Sequence, residues 1–266
     1  MRVLISSCKP ISHFRPLLPF AHGLKARGHE VRIAALPELS GEIARHGFDH
    51  VIQDAPTEAV RADFAERVSS VPRERVGKFF MAQVFMGYLP RAALPGLIKF
   101  CSEWRPDLIL RESTEFSGLI AAEKAGIRHI RVEIVNGESE ESIATNYAPE
   151  IDTLRDLVSL SPDGASCLRT EASFTAHPQL LDHTVRVNSR PPFRFRVETP
   201  PETDKPATLD WAPKDRRPLI YMTFGTIAAD NSKAKHIYRV AVEAVADLPV
   251  HALLTTGDNA PVRPLG

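Results

Sequence analysis

Cysteine is scarce, charge of one sign is not in excess, and no apolar run is long enough to cross a bilayer. Each lack excludes something. The three cysteines, Cys8, Cys101 and Cys167, are odd in number and far apart. They fit neither a disulfide frame nor a metal site, so they read as packing thiols of a reducing compartment, and a cytoplasmic protein is expected. The 33 Lys and Arg residues are cancelled by 33 Asp and Glu residues. That balance offers no basic face to nucleic acid and no basic helix to a membrane surface. The N-terminus passes from Met1-Arg2 into Val3-Leu4-Ile5, too short an apolar core for a signal peptide. No membrane span is expected.

Motifs are missing as well. No G-x-G-x-x-G follows either candidate first strand, which removes the nicotinamide fingerprint. There is no Walker loop, H-E-x-x-H, C-x-x-C or G-x-S-x-G, which removes the commonest P-loop, zinc and serine-hydrolase readings. The ten histidines show no metal-ligand spacing. No metal and no cofactor are expected.

What is present is a wound α/β pattern. "RVLIS" is a continuous apolar run, as a strand covered on both faces requires. Phe14, Leu17, Leu18, Ala21 and Leu24 follow at helical spacing, with Ser12 as the expected N-cap and Gly28 as the C-cap. "EVRIAA" is the next strand, completing a βαβ unit. Strands are also predicted at "DHVI", "RPDLILRE" and "RHIRVEI", and short ones near 185; a helix is predicted around 149–159. The segment 190–218, with seven prolines between 191 and 218, reads as an extended connector. "LIYMTF", a helix over about 233–246 and "VHALLTT" then begin a second wind. The domains expected are residues 1–189, a linker at 190–218 and a second, incomplete domain at 219–266. The fold class is α/β: a Rossmann-like N-terminal domain with a parallel sheet, and the start of another.

In such sheets ligands bind at the carboxyl ends of the strands. His13 stands in the loop after the first strand, and "DLILR" ends at Glu112, followed by Ser113-Thr114-Glu115. An imidazole and a carboxylate meeting there would be a base and its orienting partner. His13 also reads as a simple helix-start residue, and Glu112 as a solvated strand end. The segment 79–88 is rich in Phe and Met, including Phe80 and Phe85. It is either ordinary core or the wall of a pocket for a flat, apolar ligand.

These stretches resemble a family. "RVLISS…ISHFRPLLPFAHGLKARGHEVRIAA" is similar to the opening of inverting GT-B glycosyltransferases that use nucleotide sugars, above all the bacterial enzymes that glycosylate macrolides, aromatic polyketides and enediynes. "RPDLILRESTEFSGLIAAEKAGI" resembles their acceptor-domain strand and helix, and "DWAPKDRRPLIYMTFGT" their linker and first donor-domain loop. The resemblance implies that residues 1–189 bind a small-molecule acceptor and that 219–266 begin the domain for a UDP- or TDP-sugar. His13 would remove the acceptor's hydroxyl proton. The carboxylate that holds it, usually aspartate in the family, would be Glu112, with Glu115 as a rival that also borders the acceptor. Gly225 and Thr226 match the donor side. Most of the family's donor domain, with its His-Gly-Gly motif, has no counterpart here. The second wind is therefore expected to lean on the first domain or on another copy of the chain, as a homodimer. Two other readings stand beside this one: a binding module that holds an acceptor without catalysing, and a Rossmann-like protein of other use.

Overall fold

The computed structural model describes residues 1–8, 11–197, 215–225 and 235–256. Within it the chain divides into two compact units, Met1–Glu198 and Thr199–Gly266.

The first unit is built on β1 (Arg2–Ser6). Val3, Leu4 and Ile5 have no exposed surface, so this strand is sandwiched as its unbroken apolar run requires. Successive side chains point to opposite faces. Val3 and Ile5 join a core with Phe14, Leu17, Ala21, Ile33 and Ile43. Leu4 joins another with Leu94, Leu97, Trp104, Leu119 and Ile151.

The helix predicted after β1 is divided into three. It runs as α1 (Ile11–Phe14), a 3₁₀ turn (Arg15–Leu17) and α2 (Leu18–Ala26). Pro16 and Pro19 fall in the first two positions of the second and third pieces. There a missing N–H breaks no helical hydrogen bond, whereas mid-helix it would. Because α1 already begins at Ile11, Ser12 lies inside its turn and is not the N-cap expected from sequence. Gly28, at φ +78°, closes α2 as expected.

The chain continues through β2 (Glu30–Ala35), α3 (Ser40–Arg45), β3 (Asp49–Ile52), α4 (Glu58–Ser69), α5 (Val76–Phe80), a π-helical turn (Met81–Tyr88) and α6 (Leu89–Trp104). β4 (Leu108–Glu112), α7 (Phe116–Ala125), β5 (Arg128–Glu133), α8 (Gly137–Asn146), α9 (Ala148–Asp156), α10 (Ser166–Thr170), β6 (Ala172–Thr175) and β7 (Phe193–Arg194) follow. The seven strands form one parallel sheet in the order β3-β2-β1-β4-β5-β6-β7. The winding direction reverses between β1 and β4, the position at which the crevice of a doubly wound fold opens. Ser6 pairs with Arg111 in register, so the loops after these two strands leave the sheet side by side.

Two expectations fail in this unit. No strand lies near 185. Val185 and Val187 are exposed, while Arg186 between them turns inward to Glu133 at 2.9 and 3.1 Å. The apolar alternation that suggested a strand thus points out to solvent, and the segment is held by an ion pair. Conversely, Phe193–Arg194, inside the stretch read as connector, pairs with β6 as the edge of the sheet. Residues 198–214 lie outside the described residues.

The second unit contains β8 (Leu219–Thr223), α11 (Lys235–Val245) and β9 (His251–Thr255), with the two strands parallel. Leu219 and Tyr221 are more than half exposed. A parallel pair lacking cover on its faces has little stability of its own. Hydrogen exchange should therefore be fast across 219–223 and 251–255 compared with β1; equal protection in a proven monomer would contradict this account.

Candidate active site

Glu112 closes β4 with no exposed surface. Its Oε1 lies 3.1 Å from His13 Nδ1 and accepts from the Cys8 amide at 3.3 Å. Its Oε2 accepts from the Thr114 amide at 2.6 Å. The Thr114 hydroxyl stands 3.0 and 3.1 Å from the two carboxylate oxygens and 3.1 Å from His13 Nδ1. Both loops at the reversal point therefore converge on one carboxylate. Burial alone would raise its pKa, but the hydrogen bond and charge of His13, followed by the Thr114 amide, hold it below the ordinary value. An ionised carboxylate can only accept, so Nδ1 carries the imidazole proton and donates it. The lone pair is left on Nε2, which no described residue hydrogen-bonds. The His13 side chain is 18% exposed.

The other sequence candidates separate. Glu115 is buried at the start of α7, where its carboxylate accepts from the Gly118 amide at 2.7 Å and from the Ser117 hydroxyl. It is the helix's N-cap and makes no hydrogen bond to His13; burial raises its pKa above the ordinary value. The rival assignment is thus resolved in favour of Glu112 as the group that touches the imidazole. Phe85 and Phe80 also part company. The Phe85 ring stacks on His13, 5.8 Å between centroids at 11°. Phe80 packs edge-on against Phe64 of α4 at 5.0 Å, beside Phe79 and Tyr88, which pack on the same ring. The segment 79–88 therefore divides: Val84 and Met86 are buried, Phe85 covers His13, and Phe80 remains exposed. Beside Cys8, Gln53, Phe85 and Phe116 the segment leaves a cavity of about 10 Å³, about one water's worth. Gly225 takes φ +76° in the turn after β8; Thr226 lies outside the described residues. Sequence reasoning did not assign a role to Thr114. The signal available was a hydroxyl two residues past the carboxylate, where a side chain can turn back onto a strand end.

Behind the site lies a cluster of charges. Arg111 pairs with Glu171, which Arg131 and His129 also meet at 3.0 Å each. Arg131 continues to Glu140 at 3.5 Å and Glu133 at 3.8 Å. Burial presses Glu171 upward, but Arg111 and Arg131 hold it down at about 2. Burial wins at Glu140, which is pushed up to about 7 despite Arg131 and the Ser113 hydroxyl.

Comparison with known proteins follows from this geometry. Residues 22–152 match the family described as erythromycin biosynthesis protein CIII-like, N-terminal domain. That match spans just under half of the chain. His13 precedes the matched residues, and Glu112 and Thr114 lie inside them. The chain is 33% identical to 3-alpha-mycarosylerythronolide B desosaminyl transferase of Saccharopolyspora erythraea over 151 residues, 50% of this chain and 36% of that one. It is 28% identical to demethyllactenocin mycarosyltransferase of Streptomyces fradiae, across 96% of this chain and 58% of that one. These relatives are thus matched over about a third to three-fifths of their own length. In fold, the chain is similar to the glycosyltransferase SsfS6 of Streptomyces sp. SF2575, solved with thymidine diphosphate, at a TM-score of 0.65 and 19% identity, covering 98% of this chain and 70% of that one. The chain therefore has an α/β fold that resembles GT-B glycosyltransferase structures. No helix among the described residues is long and apolar enough to cross a membrane.

Two outcomes test the packing and charge of the site. A Cβ on Gly118 would stand 2.6 Å from Glu115 Oε2 and 3.0 Å from Ser6 Cβ. Gly118→Ala should cost about 1–3 kcal/mol, read as a lower denaturation midpoint. The second outcome concerns pH. Glu171, held near 2 against an ordinary 4.5, contributes stability that is present above 4.5 and lost as pH falls toward 2. Glu140, raised to about 7, works in the opposite direction: its contribution is complete below 4.5 and lost as pH rises through 7. Melting temperatures of Glu140→Gln should lose the decline between pH 4.5 and 7 and keep the acid limb; a profile parallel to wild type over that window would refute the assignment.

Proposed function

We propose that this chain is the acceptor-binding part of an inverting glycosyltransferase, which moves a sugar from a nucleoside diphosphate to a hydroxyl of a small natural product. The observation that carries the reading is the His13–Glu112 pair at the reversal point of the sheet: Nδ1 is tied to a buried carboxylate, and no described residue hydrogen-bonds Nε2. In this reading Nε2 takes the proton of the acceptor hydroxyl as its oxygen attacks the anomeric carbon. The nucleoside diphosphate leaves from the opposite side, and configuration inverts. Glu112 stabilises the imidazolium formed, and Thr114 fixes the carboxylate's angle.

The names of the relatives support the reaction class, and the thymidine diphosphate bound to SsfS6 supports a TDP-sugar donor over a UDP-sugar. Residues 1–189, with the edge strand Phe193–Arg194 that completes their sheet, are assigned to the acceptor, the rest of 190–218 to a linker, and 219–266, with Gly225 and Thr226, to the start of the donor-binding domain. The stacking of Phe85 on His13 supports a place for a flat aglycone on the imidazole, reached when the π-helical turn moves aside, since the space beside it holds only about 10 Å³.

The test uses this chain within a protein that carries a complete donor domain. His13→Ala should lower kcat by roughly 10²- to 10⁴-fold with the melting temperature nearly unchanged. Glu112→Gln should lower it less, because the imidazole remains. A loss under about threefold for His13→Ala would reduce His13 to a structural residue.

A further inference from the structure

The two groups that touch His13 Nδ1 stand at the end of β4 (Glu112) and in the loop that follows it (Thr114), yet their contacts with His13 do not fix the path of that loop's backbone. Arg111 is placed to do so. Its side chain has no exposed surface. Nη1 lies 3.1 Å from the carbonyl oxygen of Glu112 and 3.4 Å from those of Ser113 and Glu115. Nη2 pairs with Glu171 at the start of β6. The guanidinium lies over the ring of Phe116, 5.7 Å from its centroid. Burying this group is expensive, and an apolar side chain of similar volume commonly serves a core equally well or better. What an apolar side chain cannot do is donate to three consecutive-turn carbonyls while bound to a carboxylate on another strand. The planar fork with donors on both Nη atoms spans that distance; a lysine ammonium is a single point and does not.

We propose that Arg111 is a positioning residue: anchored on Glu171, it grips the carbonyls of Glu112, Ser113 and Glu115 and so holds the loop in the shape that presents Glu112 and Thr114 to His13. The proposal rests on reading His13 and Glu112 as a base and its partner.

The test needs only this chain, labelled with ¹⁵N-histidine, and reads the tautomer of His13 from long-range ¹H–¹⁵N spectra, the His13 signals being assigned with His13→Gln. Wild type should show the Nδ1–H form. Glu112→Ala should shift the population to the Nε2–H form that free histidine prefers. Arg111→Lys keeps a cation beside Glu171 and loses the fork; at least half of the Nδ1–H population should be lost. Because that change is in the core, the charge-neutral pair Arg111→Met with Glu171→Gln serves as the second variant, with the same expectation. A merely structural arginine would lower the melting temperature and leave the tautomer untouched. An unchanged Nδ1–H pattern in whichever of these variants folds would overturn the proposal. If Glu112→Ala itself leaves the tautomer unchanged, the reading of the dyad fails instead.

Discussion

A carboxylate removed from water must be surrounded by donors or lose its charge, and the end of β4 is organised by that requirement. Glu112 finds its donors in two loops: the Cys8 amide and His13 come from the first, the Thr114 amide and hydroxyl from the second. Satisfying one buried anion therefore fastens the loops after β1 and β4 together. The same contacts set which imidazole nitrogen is protonated.

The charges behind it show the cost of that arrangement. Three arginines, Arg111 on β4, Arg131 on β5 and Arg186, are matched to three glutamates, Glu133 at the end of β5, Glu140 on α8 and Glu171 just before β6. Among the described residues, Nε of Arg111 and of Arg131 and Oε2 of Glu140 still lack a well-formed hydrogen bond. Such a cluster adds little stability relative to an apolar core. It does restrict how the strand ends and their loops can be arranged, because few alternative packings satisfy so many charges at once.

Much of this was legible in the chain. An unbroken apolar run marked β1 as a doubly covered strand, and Gly28 marked the end of α2, adopting positive φ. From the winding order alone, His13 and Glu112 could be placed at the same edge. What stayed illegible depended on partners distant in sequence. Arg186 turned a strand-like alternation inside out by pairing with Glu133, some fifty residues away. Glu112 and Glu115 could not be told apart by spacing, since both stand near the same strand end; the Gly118 amide claims one and His13 the other. The division of α1 from α2 was not read from the helical spacing of Phe14, Leu17, Leu18, Ala21 and Leu24, which is continuous across the breaks at Pro16 and Pro19.

The bend inside Met81–Tyr88 has a consequence for how such a site could change over time. Gly87 leaves helical geometry there, at φ −107° and ψ −109°, so the helical windings before and after it are not one continuous rod. Phe85, on the near side, faces His13, while α6, on the far side, keeps Leu94, Leu97 and Cys101 against the sheet. A replacement at Gly87, where a Cβ would stand 3.0 Å from the Ala82 carbonyl oxygen, would alter the bend and move the aromatic ring relative to the imidazole without requiring α6 to repack. One backbone position, more than replacement of pocket side chains, would then be an economical route by which descendants of one scaffold come to accept differently shaped molecules.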